Sequence, residues 1–133
     1  MNAAFTCRAT AASLRALRPL MTAAHVGAVA AGIWLTAQPS PWLIASLAVW
    51  APGLYLAVRV HLDAELLELL ATDPERHPAE LDEFLVRAGL RRSPINCSIE
   101  ERCQGARRWG SRLVLAVVLQ LALVVAGVMR TAR

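Results

Sequence analysis

Apolar positions fall into three blocks along the chain, Leu20 to Ala37, Trp42 to Val58 and Leu113 to Met129, each 17 or 18 residues long. As helices they reach the short end of the roughly 17–25 residues that cross a hydrocarbon layer ~30 Å thick. None contains Asp, Glu, Lys or Arg, and His25 is their one histidine. A helix on the core of a soluble protein carries a polar stripe beside its apolar one, and that stripe is missing from all three. The expectation is an all-α integral membrane protein with three transmembrane helices. An arginine cluster before an apolar run is also the outline of a secretory signal peptide. The first block is longer than the usual ~7–15 residues, and Leu35 with Ala37 makes a poor cleavage site, so an uncleaved anchor is expected.

The polar interval between the second and third blocks predicts a cytosolic amphipathic helical hairpin. "HLDAELLELLA" places Leu62, Leu66, Leu69 and Leu70 on one helical face, apart from Asp63, Glu65 and Glu68, and continues the second span. The prolines of "TDPERHP" end it. A second short helix, "PAELDEFLVRAGL", opens at Pro78, gathers Leu81, Phe84, Leu85 and Ala88, and stops at Gly89, with His77 at its start. Ser98 and Glu101 then have the Ser-x-x-Glu spacing of a capping box, so a long helix is expected from Ile99 into the third span. The chain divides accordingly into an N-terminal cytosolic arm (1–19), two spans joined by a short outer turn (20–60), the hairpin and its loop (61–98), and the long last helix (99–133).

Composition agrees with lipid as the surroundings, since 56% of the 133 residues are hydrophobic against roughly 45–50% in soluble chains. Charge sets the expected orientation. Arg8, Arg15 and Arg18 precede the first block, nine arginines lie from Arg59 to Arg112, the outer turn has none, and Arg130 and Arg133 follow the third block. Arginine-rich flanks stay on the cytoplasmic side, which puts the N-terminus inside a bacterial inner membrane and the C-terminus in the periplasm. Trp34 and Trp42 would then mark the outer interface and Trp109 the inner one. The interior segment is itself polarised, with eight acids and one arginine from His61 to Glu83 (net −7), then seven arginines and two glutamates from Phe84 to Arg112 (net +5). Arg102, Arg107, Arg108 and Arg112 are expected against anionic lipid headgroups. With those charges tied to the bilayer and no recognition motif beside them, no nucleic-acid role is expected.

Within lipid, helices associate through close backbone approach and interhelical hydrogen bonds. Two small-residue rows on the first span, Ala23, Gly27 and Ala31 beside Ala24, Ala28 and Gly32, predict a packing face. Pro52 predicts a kink in the second span. Gln120, alone in the centre of the third, predicts a hydrogen bond to a neighbouring helix.

Chemistry is sparse. No nucleophile elbow, zinc-protease, phosphate-loop or dinucleotide motif occurs, so no catalytic residues, metal or cofactor are expected. His25 and His61 suggest haem ligation, but they sit at different depths. Cys7, Cys97 and Cys103 have no CxxC spacing and read as thiols; a helix N-terminus near Cys97 and Cys103 is opposed by Glu100 and Glu101. The expected role is a non-enzymatic accessory or scaffolding subunit of a larger membrane complex, bound to another membrane protein or to copies of itself. The alternative is a small membrane effector, a pore-former or an immunity protein; an electron-carrying subunit is a third class.

Overall fold

The computed structural model describes residues 3–72, 83, 86, 87 and 98–131, and its elements are all helices. They are α1 (Ala3–Arg15), α2 (Arg18–Ala37), α3 (Pro41–Thr72) and α4 (Ile99–Thr131). The stretches Ala4–Ala37, Pro41–Thr72 and Ile99–Arg130 are each long and apolar enough to cross a membrane. At ~1.5 Å per residue, stretches of 34, 32 and 32 residues outrun a ~30 Å hydrocarbon layer. Each therefore has an apolar half and a charged half. α2, the start of α3 and the end of α4 make up the apolar half; α1, the end of α3 and the start of α4 make up the charged one.

The helices run side by side, α1 and α2 in the direction of α4 and α3 against them. Leu43 meets Gly127, Arg15 meets Glu65, and Ala24 meets Gln120. The buried positions recur at alternate steps of three and four. On α4 they are Cys103, Ala106, Gly110, Leu113, Val117 and Gln120; on α3 the run is Ala57, Val60, Ala64, Leu67 and Ala71. A seam with a period near 3.5 residues keeps facing its partner only if the helices wrap in a left-handed coil. Most of its members are small, so backbones rather than bulky side chains come together. At Gly127 a Cβ would lie 2.7 Å from Leu43 Cδ2.

Local sequence sets the ends. Pro19 lacks an N–H, and its ring excludes the carbonyl of Arg15, which breaks the helix at Ala16 and Leu17 and separates α1 from α2. α2 stops at Gln38, in extended conformation before Pro39, and Pro41 opens α3 after a turn of three residues, too short for anything but an antiparallel neighbour. α4 starts at the expected capping box. The Ser98 amide donates to Glu101 Oε2 (2.9 Å), and the Glu101 amide donates to Ser98 Oγ (3.2 Å).

Three sequence expectations are revised. The segment 1–19, given no element above, contains α1, whose Cys7, Thr10, Ala11 and Leu14 are buried. The inward face of the α3 extension is Val60, Ala64, Leu67, Leu70 and Ala71; of the four leucines expected there Leu70 is buried and Leu66 half-buried, while Leu62 and Leu69 point outward. Leucine alone gave that face in part, because the alanines that admit α1 carry much of the seam. On α2 the buried set is Ala24, Ala28 and Ala31, which takes members of both small-residue rows; Ala23 is exposed, and nothing lies within 4 Å of a Cβ placed on Gly32. Steps of four suit one hand of crossing and steps of three and four the other, and the second kind is found. Pro52 lies within α3, which continues through it as helix. Of the expected hairpin's second arm, Glu83, Val86 and Arg87 are helical, with an Arg87–Glu83 ion pair (2.6 Å). His77, Pro78, Leu81, Phe84, Leu85, Ala88, Gly89 and Cys97 lie outside the described residues.

Candidate functional site

Two clusters bring chemistry-bearing side chains together. The first is in the apolar half, where α2, α3 and α4 meet. Gln120 is buried, and its Nε2–H donates to the carbonyl oxygen of Ala24 (2.8 Å). That carbonyl already serves α2, so the amide adds a second bond to an occupied acceptor. At the next residue of α2, the His25 Nδ1–H donates to Met21 O (2.6 Å). That bond leaves Nε2 as the acceptor nitrogen. The His25 ring meets Trp50 edge to face, with centroids 5.9 Å apart. The indole Nε1–H of Trp50 is buried with no hydrogen-bond acceptor. These groups line a cleft of about 260 Å³, part of it open to the surroundings, together with Met21, Gly53 and Ala57. The cleft thus offers one donor and one acceptor in an otherwise apolar setting. His61 does not join them, since it is eleven residues along α3 from Trp50, ~16 Å in a helix.

Replacing Gln120 by Leu removes the interhelical bond while filling most of the volume. The expected loss is about 1 kcal/mol of stability, measured as a lower SDS midpoint for unfolding from mixed micelles; an unchanged midpoint would show that the bond contributes nothing.

The second cluster lies in the charged half, where α1 docks on α3 and α4. Arg15 reaches Glu65 (3.3 Å) and Glu68 (3.5 Å), and Arg18 reaches Glu65 (3.5 Å). Arg59 pairs with Asp63 one turn on (3.5 Å). These pairs are partly exposed, so each contributes no more than about 1 kcal/mol; together they fix the angle of α1. On the opposite side of α1, Arg107 Nη2–H donates to Thr10 Oγ1 (3.3 Å), and a Cβ on Gly110 would lie 3.0 Å from Leu14 Cδ2. Cys7 and Cys103 lie beside each other in the same seam, both buried in one core cluster. Burial, with Cys103 alongside, pushes the Cys7 thiol up to about 11.

Among the arginines read as headgroup ligands, Arg108 and Arg112 are exposed, and the Arg112 guanidinium stacks over Trp109 at 4.9 Å. Arg107 turns toward Thr10, and Arg102 is half-buried. At the other end of α4, Arg130 stacks over Trp42 at 5.0 Å. Sequence reading missed Trp50, the carboxylate partners of Arg15 and Arg18, and the meeting of Cys7 with Cys103. Only the Arg–Glu pairs had a visible signal, in two complementary charge clusters. No family model matches the chain, and neither the curated proteins nor the solved structures give a match.

Proposed function

We propose that the chain is a three-span protein of a bacterial inner membrane, with a cytosolic N-terminus and a periplasmic C-terminus, serving as a non-enzymatic accessory or scaffolding subunit. The observation that carries the reading is the outer surface of the apolar half. Val26, Val29 and Ile33 on α2, Ile44, Leu54 and Val58 on α3, and Leu115, Val118 and Val125 on α4 are all exposed. Bulky apolar side chains on every outward face are tolerated by hydrocarbon and not by water.

The ends of this belt agree in depth. Arg112 to Arg130 on α4 spans 18 steps, Trp42 to Arg59 on α3 spans 17, and Arg18 to Ala37 on α2 spans 19; at ~1.5 Å each they measure ~26–29 Å, close to the hydrocarbon thickness. The arginine bias places the charged half inside. Headgroup layers are ~5–7 Å deep. Arg112 and Arg108, one turn apart on α4, fall within that depth and meet anionic lipids. Arg102, ten residues or ~15 Å further along the helix, stands clear of them.

A subunit role follows from what fills the bundle. Among the described residues its apolar seam is closed by alanines, Leu43, Leu113, Val117 and the Gln120 amide, and no polar path runs through a single copy. Glu65 and Glu68, in the acidic stretch from His61 to Glu83, pair with Arg15 of the chain's own α1.

The reading is tested by extraction and topology. The native chain should stay with membranes through alkaline carbonate. An alkaline phosphatase fused after Arg133 should be active and one fused at the N-terminus inactive; the reverse pattern would overturn the orientation, and carbonate release would overturn the whole proposal. In mild detergent the chain should run in a discrete assembly larger than itself, and a monomer would remove the subunit role.

A further inference from the structure

The α1–α4 seam has one repeated step. Cys7 opposes Cys103, Thr10 accepts a hydrogen bond from Arg107 one turn on, and Leu14 lies against Gly110 two turns on. Two helices aligned in parallel with small residues at Ala11, Ala106 and Gly110 bring their backbones close, which is what a disulfide's short reach between Cβ atoms requires. The two sulfur-bearing residues are 1% and 3% exposed and share one core cluster. An isolated buried cysteine acts as a small apolar side chain; two cysteines set at matching steps of neighbouring helices, in register with the Thr10–Arg107 and Leu14–Gly110 contacts, are a dithiol.

We propose that Cys7 and Cys103 form a redox modification site, a dithiol that small disulfide compounds oxidise to an intrachain disulfide, fastening α1 to α4.

The exchange balances without another reactant. One cysteine, as thiolate, attacks a sulfur of the small disulfide; a mixed disulfide forms, and the first small thiol leaves. The second cysteine attacks the protein sulfur of that mixed disulfide, the Cys7–Cys103 bond forms, and the second small thiol leaves. The two cysteines lose two electrons and two protons, and both pass to the two small thiols released. The turn at Ala16 and Leu17 separates α1 from α2, so a local opening of the α1–α4 seam that breaks the Arg15 and Arg107 contacts would admit the oxidant while leaving α2 in place. In the closed seam burial disfavours the thiolate, so the dithiol persists in a reducing cytosol and reacts on opening. Once joined, α1 no longer lifts. The device acts on the charged half and is independent of the subunit role.

The test uses the full chain with Cys97→Ser, so that the two cysteines in question are the only ones. The purified protein, in detergent micelles, is treated with 2-hydroxyethyl disulfide, then denatured and alkylated. Before oxidation two alkyl groups should add; afterwards none should, with the chain still monomeric, 2 Da lighter by intact mass and restored by dithiothreitol. Proteolysis should give one linked pair of peptides containing Cys7 and Cys103. The melting midpoint should rise by several degrees on oxidation, and that rise should be absent from a Cys7→Ala chain treated alike. Two reactive thiols after exhaustive oxidation, mixed disulfides that never close, or linkage between two chains would each overturn the proposal. Because chemistry and mass are read on the chain with both cysteines intact, the result does not depend on the Cys7→Ala variant folding.

Discussion

An arginine in place of Val29 should prevent stable insertion, whereas an arginine in place of Leu69 should change little. Both side chains are open, Val29 at 63% and Leu69 at 55%, so in water the two substitutions would be equally harmless. Their surroundings differ. Val29 is near the middle of α2, eleven residues from Arg18 and eight from Ala37, on a face that none of the described residues covers. Leu69 is ten residues beyond Arg59 on α3, among Glu65 and Glu68. An arginine at the centre of a span costs about 2.5–3.5 kcal/mol on insertion scales, a factor of roughly sixty to three hundred in the inserted fraction. At Leu69 the new charge meets water and neighbouring acids. Membrane and soluble fractions, quantified after pulse expression, measure both. Equal tolerance at the two positions would mean that the apolar belt faces something other than hydrocarbon.

Gly127→Leu should cost about 3 kcal/mol, the upper end for overpacking. A Cβ there lies 2.7 Å from Leu43 Cδ2 and 2.9 Å from its Cγ. Leu43 is fully buried, so its side chain has no adjacent space in which to swing away. The α3–α4 seam must open at its outer end, beside the Arg130–Trp42 stack. Gly32→Leu is the control, since a Cβ there has no neighbour within 4 Å and helix propensity favours the change. Leu43→Ala alone should cost about 2–5 kcal/mol by leaving a void. Combined with Gly127→Leu it should recover at least about 1 kcal/mol of the summed losses, because the new side chain occupies the vacated space. SDS titration of the four chains measures this, and strict additivity would show that the two residues do not share one contact.

The parts legible in the sequence are those carried by large or chemically distinctive residues. Ser98 and Glu101 gave the start of α4 because a capping box needs two specific side chains at one spacing. Gln120 stood out because an amide among leucines and valines has to find a partner. α1 was illegible for the opposite reason. Its buried positions are Cys7, Thr10, Ala11 and Leu14, so a scale of hydrophobicity sees one leucine. The seam of α3 has the same character at Ala57, Ala64 and Ala71. In hydrocarbon, association favours residues that let backbones meet, and the pattern that specifies this bundle is one of size rather than apolarity. Arg15 and Arg18 carried two messages at once. Their place ahead of the first apolar block could be read from the sequence, while their pairing with Glu65 and Glu68 depends on α3 continuing as helix to Thr72.

The bond between Gln120 and Ala24 joins positions ninety-six residues apart, and this orders events during synthesis. On the proposed insertion, α4 leaves the translocation channel with its amide unbonded, whereas α2 and α3 are complete and already paired across a three-residue turn. The carbonyl at Ala24 is the berth into which the late arrival fits. Nascent chains extended by a linker and arrested at the length where Gln120 first clears the ribosome and channel should register a pull, and one carrying leucine there should lose it.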